Sequence, residues 1–119
     1  MSDTTVNELV TEWLSLREVA DRLAVSPSKV RQMVRDRQLA ALRHADAREP
    51  EVPAEMLGKD AVVKGLGGTL TLLADAGYDE EEAVRWLFTP DDSLPGRPID
   101  ALRENRGTEV HRRAQALAF

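Results

Sequence analysis

Cysteine is absent from the 119 residues, which excludes disulfide staples and thiolate metal or redox sites. Histidine is scarce. His44 and His111 stand far apart in the sequence, so a zinc site would rest mostly on carboxylates, and no metal is expected. No apolar run nears the roughly 20 residues that span a bilayer. The start, MSDTTVNELVTEW, is acidic and lacks the basic opening and apolar stretch of a signal peptide. These absences point to a cytoplasmic protein without membrane contact. No nucleophile–base pair stands out, so no enzyme is expected. Gly65, Gly67 and Gly68 in VKGLGGT lack the Gly-Lys-Ser/Thr ending of a phosphate loop; they read as close packing or a helix start, and no cofactor is implied. What remains is 42% apolar and 31% charged, enough for one sizeable core or two small helical units sharing one.

The net charge of -5 argues at first against a nucleic-acid partner. Its distribution matters more. Residues 26–48 hold six cations, Lys29, Arg31, Arg35, Arg37, Arg43 and Arg48, against two carboxylates, Asp36 and Asp46, a local excess of four. Screening acts over about 8 Å at physiological salt, so a basic face can attract phosphate while the far side is acidic.

Two short helices carry clear start signals. Ser15 and Glu18 form an S-x-x-E capping box with Leu14 and Val19 as its staple. This starts a helix at Leu16 with Leu16, Val19, Ala20 and Leu23 on one face. Ser26 caps a second helix with Pro27 at its first position, where the missing N–H costs nothing. Val30, Met33 and Val34 form its inner stripe, and only Ala24 and Val25 are left for the turn. This spacing matches a helix-turn-helix, in which the first helix braces the second and the second enters the major groove. With Val30 and Met33 inward, a step of about 100° per residue turns Ser28, Arg31, Gln32 and Arg35 outward, with Lys29 at the flank. Arginine can read guanine and glutamine adenine, while serine and lysine suit phosphate. Ala24 stands where such turns often have glycine.

From Leu39 the pattern becomes a basic ribbon. Leu39 to Arg43 reads as a strand, His44 to Arg48 as a turn, and Glu49 to Val52 as a return strand placed on an edge by Pro50. A tip carrying Arg43, His44 and Arg48 fits a wing. PAEML then reads as a short helix ending at Gly58. Beyond it, helices are expected from about Ala61 to Ala76, from an Asp79/Glu82 capping box to Pro90, at about 99–106 stopped by Gly107, and at about 109–118 with Thr108 as N-cap. The expected fold is mainly α: a winged helix-turn-helix with a small β-hairpin wing, plus a C-terminal helical domain. Its divisions are a flexible arm at 1–12, the winged unit at 13–58 and the helical unit at 59–119.

LSLREVADRLAVSPSKVRQMVRDRQL followed by VPAEMLG resembles actinobacterial winged-helix proteins with a C-terminal helical domain, and the run from VVKGLGG to the end is similar to their tail. The resemblance covers nearly the whole chain from Trp13. It implies contact with double-stranded DNA through Ser28, Lys29, Arg31, Gln32 and Arg35. One branch of that family is a substrate of a Ser/Thr protein kinase, which directs attention to Thr4, Thr5 and Thr11 in the acidic arm. The run R-W-L-F-T-P-x-x-S-L-x-G-x-P is also similar to the partner-binding domain of certain antitoxins. It suggests a partner or self-association surface around Trp86, Phe88, Leu94 and Ile99, with Arg97 at its rim. The leading expectation is a nucleoid-associated transcriptional regulator. The alternatives are an antitoxin-like adaptor and an excisionase-type architectural factor.

Overall fold

Helices begin where the sequence signals them. The computed structural model describes residues 6–45 and 47–118. In chain order the elements are α1 (Val6–Leu9), β1 (Trp13–Ser15), α2 (Leu16–Leu23), α3 (Pro27–Arg35) and β2 (Glu51–Pro53). A 3-10 turn at Ala54–Met56 follows, then α4 (Leu66–Asp75), α5 (Glu80–Phe88), α6 (Pro98–Arg103) and α7 (Gly107–Ala116). Ser15 Oγ accepts the Glu18 amide at 3.0 Å while Glu18 Oε1 accepts the Ser15 amide at 2.8 Å. Asp79 and Glu82 repeat this reciprocal pair at the start of α5, and Ser26 Oγ accepts from the Lys29 amide at 3.1 Å. Each such cap satisfies amides that the first helical turn leaves orphaned and contributes about 0.5–2 kcal/mol.

The ends are less obvious. Four helices close with the same crossed pair of backbone bonds around a left-handed residue: Ala24 after α2, Arg37 after α3, Gly77 after α4 and Asn105 after α6. Only one of the four is glycine. Ala24, at φ 58°, therefore holds a conformation that costs an L-residue about 1–2 kcal/mol. Replacing it with glycine relieves that strain and gives back part of the gain as chain entropy. Ala24→Gly is expected to raise stability by about 0.5–1 kcal/mol, read as a higher denaturant midpoint at unchanged slope. An unchanged or lower midpoint would show that the turn is not strained.

Several boundaries differ from expectation. The sheet pairs β1 with β2 antiparallel, Leu14 opposite Val52 and Ser15 opposite Glu51. The strand expected at Leu39 to Arg43 shrinks to one bridged residue, Leu42, opposite Glu51. Leu39, Ala40 and Ala41 are all buried, and the Ala41 amide faces Glu80 Oε2 of α5 at 3.5 Å instead of a strand. β2 begins at Glu51, not Glu49, and in a two-stranded sheet it lies at an edge as expected, with Leu42 bridging only Glu51 on its outer side. Pro50 sits exposed just outside it, where no ladder N–H is needed. The PAEML helix is a single 3-10 turn. α4 begins at Leu66 rather than Ala61, because Val62 bridges Leu57 first. Asn105, not Gly107, ends α6; Gly107 opens α7, and Thr108 lies in its first turn rather than at the cap.

The arm read as flexible is helical from Val6. Val6 and Val10 are buried, and α1 packs against α5. Full burial of such side chains contributes about 1.5–3 kcal/mol each. Residues 1–5 lie outside the described residues. One apolar cluster then runs without a break from Val6 through Val30, Val52 and Met56 to Leu73, Phe88 and Val110. Polar ties cross between the halves as well. Arg97 donates to both Glu55 carboxylate oxygens, at 2.6 and 3.1 Å, and to Asp100, and its guanidinium lies 5.4 Å from the Phe88 ring centre. These bonds hold the Asp100 carboxyl below its ordinary range. Arg103 donates to the carbonyls of Glu55 and Leu57, both at 2.8 Å.

The glycines of VKGLGGT serve packing. Gly65 takes φ 87° ahead of α4, and its carbonyl accepts from His111 Nε2 at 2.9 Å. A Cβ on Gly68 would stand 3.1 Å from His111 Cε1, and one on Gly67 would stand 3.6 Å from Gln38 Cα. Helix α4 thus lies between the end of α3 and α7, touching each across a glycine.

Candidate nucleic-acid interface

α3 turns its apolar stripe inward and its polar residues outward. Val30 is fully buried, Met33 and Val34 half-buried, and Val19 and Ala20 of α2 lie beneath them. Ser28, Lys29, Arg31, Gln32 and Arg35 are all exposed. Ser28, Arg31 and Arg35 recur at i, i+3 and i+7, so they share one face. Ser26 fixes the start of α3 through its cap. Arg37 fixes the end: its amide donates to Val34 O at 3.1 Å, and the next amide, of Gln38, reaches back to Met33 O at 2.8 Å.

The wing is the loop 43–50, closed where Leu42 and Glu51 exchange backbone hydrogen bonds of 2.8 Å. Arg43 and Arg48 are exposed on it. His44 is not a tip residue, contrary to the sequence reading. It is half-buried, stacked on Trp13 of β1 with ring centres 3.8 Å apart and planes 13° from parallel. Its Nε2 donates to Glu51 Oε1 at 2.6 Å, and Nδ1 lies 2.9 Å from Asn7 Oδ1 of α1. This cluster at the base of the wing escaped the sequence reading. The only signal was the aromatic at Trp13 followed by buried Leu14, too short a run to declare a strand.

Among the described residues, none of Lys29, Arg31, Arg35, Arg37, Arg43 and Arg48 has an ion-pair partner. The C-terminal half differs. Arg85 pairs with Glu81, Arg97 with Glu55 and Asp100, and Arg106 with Glu104 and Glu109. Arg103 is held by backbone carbonyls, and Arg113 by Ser93 and the Glu109 carbonyl. Arg17 and Arg22 of α2, Lys59, Lys64 and Arg112 also lack such ties among the described residues, so six of the eleven unpaired cations stand on α3, just after it and on the wing.

Three of the four anchors of the partner surface suggested by the sequence are not accessible. Phe88, Leu94 and Ile99 are fully buried, and Arg97 is committed to Glu55 and Asp100. Trp86 alone of the expected anchors is partly accessible. Large apolar residues beside a Pro-Gly loop fill the core here because α5, α6 and α7 converge on them. Thr11 is exposed just before β1; Thr4 and Thr5 lie outside the described residues. No cluster of metal-ligating side chains occurs among the described residues, and none of their helices is long and apolar enough to cross a membrane.

Comparison with known proteins gives a consistent assignment. A family model described as the winged helix-turn-helix domain of DNA-binding protein Rv2175c matches residues 3–57. A second, described as the Rv2175c C-terminal domain of unknown function, matches residues 63–118. The DNA-binding protein Rv2175c of Mycobacterium tuberculosis (strain ATCC 25618 / H37Rv) is 44% identical to this chain, the alignment covering 87% of this chain and 79% of that protein. The NMR structure of Rv2175c superposes with a TM-score of 0.81 at 40% identity, covering 91% of this chain and 82% of the other.

Proposed function

Because the chain belongs to the Rv2175c family of winged helix-turn-helix proteins, we propose that it binds duplex DNA through α3 and the wing and acts as a transcriptional regulator. One observation carries this reading: six exposed, unpaired cations stand on α3, just after it and on the wing, whereas five of the six arginines of the C-terminal half are tied to the protein itself, Arg112 being the exception. Unpaired surface arginines and lysines are what phosphates neutralise with release of counterions. In this reading α2 braces α3, and α3 lies in the major groove with Arg31, Gln32 and Arg35 toward base edges. Ser28 and Lys29 meet the backbone near the helix start, and Arg37, Arg43 and Arg48 extend the contact along it. The C-terminal half serves as a brace, which its shared core and the arginine ties across the halves support.

The test is salt dependence. With about four to six phosphate contacts, log affinity should fall against log salt with a slope of roughly -4 to -5, despite the acidic whole. Fluorescence anisotropy of a labelled duplex across a salt series measures it. A flat response would mean that these cations do not face the backbone, and the reading would fail.

A further inference from the structure

We propose that His44 is a positioning residue for DNA binding: it clamps the root of the wing to α1, β1 and β2 and so sets where Arg43 and Arg48 point. The proposal rests on the reading that the wing touches DNA.

The loop 43–50 has little else to hold it. Its backbone is closed at Leu42 and Glu51, and one internal bond joins the Ala47 amide to the His44 carbonyl at 2.9 Å. Among its described residues, no side chain other than that of His44 hydrogen-bonds outside the loop. A loop on two backbone bonds would swing about its base, and two arginines on it would sample many directions. His44 removes that freedom from three sides. Its ring lies flat on Trp13, Glu51 accepts its Nε2 bond at 2.6 Å, and Asn7 stands 2.9 Å from Nδ1. Arg43 is its immediate neighbour, so fixing the His44 ring fixes the backbone from which Arg43 projects. Asn7 lies on α1, and α1 packs on α5. The wing is thereby tied, through α1, to α5 of the C-terminal half.

The consequence is measurable as non-additivity. Residues that act through one another give coupled effects in a double-mutant cycle, whereas independent ones add. Arg43→Ala/Arg48→Ala is expected to weaken binding and make the salt slope shallower by roughly 2. His44→Ala should reproduce most of that loss while still melting cooperatively. Adding His44→Ala to the arginine pair should cost nothing further. A second readout is independent of DNA. The chain has no cysteine, so Ala45→Cys provides a single spin-label site on the exposed loop. Its spectrum should sharpen when His44 is replaced. If His44→Ala does not fold, His44→Phe keeps a ring against Trp13 and loses both polar ties, and the same two measurements apply.

The outcomes separate. If the arginine pair matters but His44 variants bind at full strength with the parent slope, the positioning role is overturned. An additive further loss in the triple variant overturns it too, since His44 would then act on something other than the wing. If the arginine pair proves neutral, the wing contact itself is overturned and the role of His44 in binding falls with it. A sharpened label in that case supports only the clamp, and an unchanged label overturns the clamp as well.

Discussion

Cut after Gly58, the chain is expected to lose its cooperative unfolding transition and its DNA binding together. The fragment would keep α1 without α5, so Val6 and Val10 would return to water. Leu39, Met56 and Leu57, each buried to within a few per cent, also lie in the cluster that continues into α4 to α7. Exposing a handful of such side chains at about 1.5–3 kcal/mol each removes as much as the 5–15 kcal/mol that holds a typical domain together. The polar ties add to the loss: Glu55 would lose Arg97, the Glu55 and Leu57 carbonyls would lose Arg103, and the Ala41 amide would lose Glu80. A chain near 60 residues buries only about 60% of its unfolded surface even when intact. Circular dichroism against temperature and a duplex-binding titration on the fragment decide the matter. A fragment that melts cooperatively and binds with the affinity of the full chain would show that the C-terminal half is an appendage and not a brace.

Replacing Arg31 and Arg35 together should abolish most sequence-specific binding while leaving the fold intact. Both are exposed on the outer face of α3, so truncation should change stability by no more than about 0.5 kcal/mol. Each is expected to contribute about 1–3 kcal/mol if it reads a base. Together they should weaken the preferred site at least ~30-fold, allowing for coupling between neighbours one turn apart. Lys29→Ala is the contrast, because loss of a phosphate contact lowers affinity for every sequence alike. The measurement is competition between a selected duplex and bulk DNA at fixed salt, with a melting curve of each variant. Full-strength binding by the double variant would remove α3 as the reading helix.

Local chemistry was the legible part. Capping residues act within three positions of one another, so Ser15/Glu18, Ser26-Pro27 and Asp79/Glu82 announce their helices before any tertiary contact is known. The buried stripe of α2 and the outward set on α3 follow from the same helical period. What escaped depends on distant partners. β1 is three residues long and becomes a strand only because Val52 lies opposite Leu14. Leu39 to Ala41 look like a strand until the amide of Ala41 meets Glu80. The end of α6 misled because Asn105 took the left-handed place that glycine usually marks. Phe88, Leu94 and Ile99 are apolar whether they face a partner or a core, and periodicity over so short a segment does not separate the two. His44 looked like a wing-tip residue because nothing in its neighbourhood announces that Trp13 and Asn7 come to meet it.

Helix α4 acts as a shim. One of its faces meets the Arg37–Gln38 backbone across Gly67 and the other meets His111 across Gly68, so its thickness at that level is that of bare backbone. A Cβ at Gly67 would just reach contact with the backbone that follows α3, and one at Gly68 would press on the His111 ring, so only a larger side chain at Gly67 would push against the end of α3. The end of α3 thus rests on a helix from the opposite half of the molecule. The outward residues Ser28, Arg31, Gln32 and Arg35 are exposed and lie outside this stack. If α3 reads bases as proposed, exchanging those side chains alone should change the preferred sequence without disturbing that seat. A graft of the winged unit onto another helical partner, by contrast, would have to supply a helix that comes as close to the Arg37–Gln38 backbone as α4 does at Gly67.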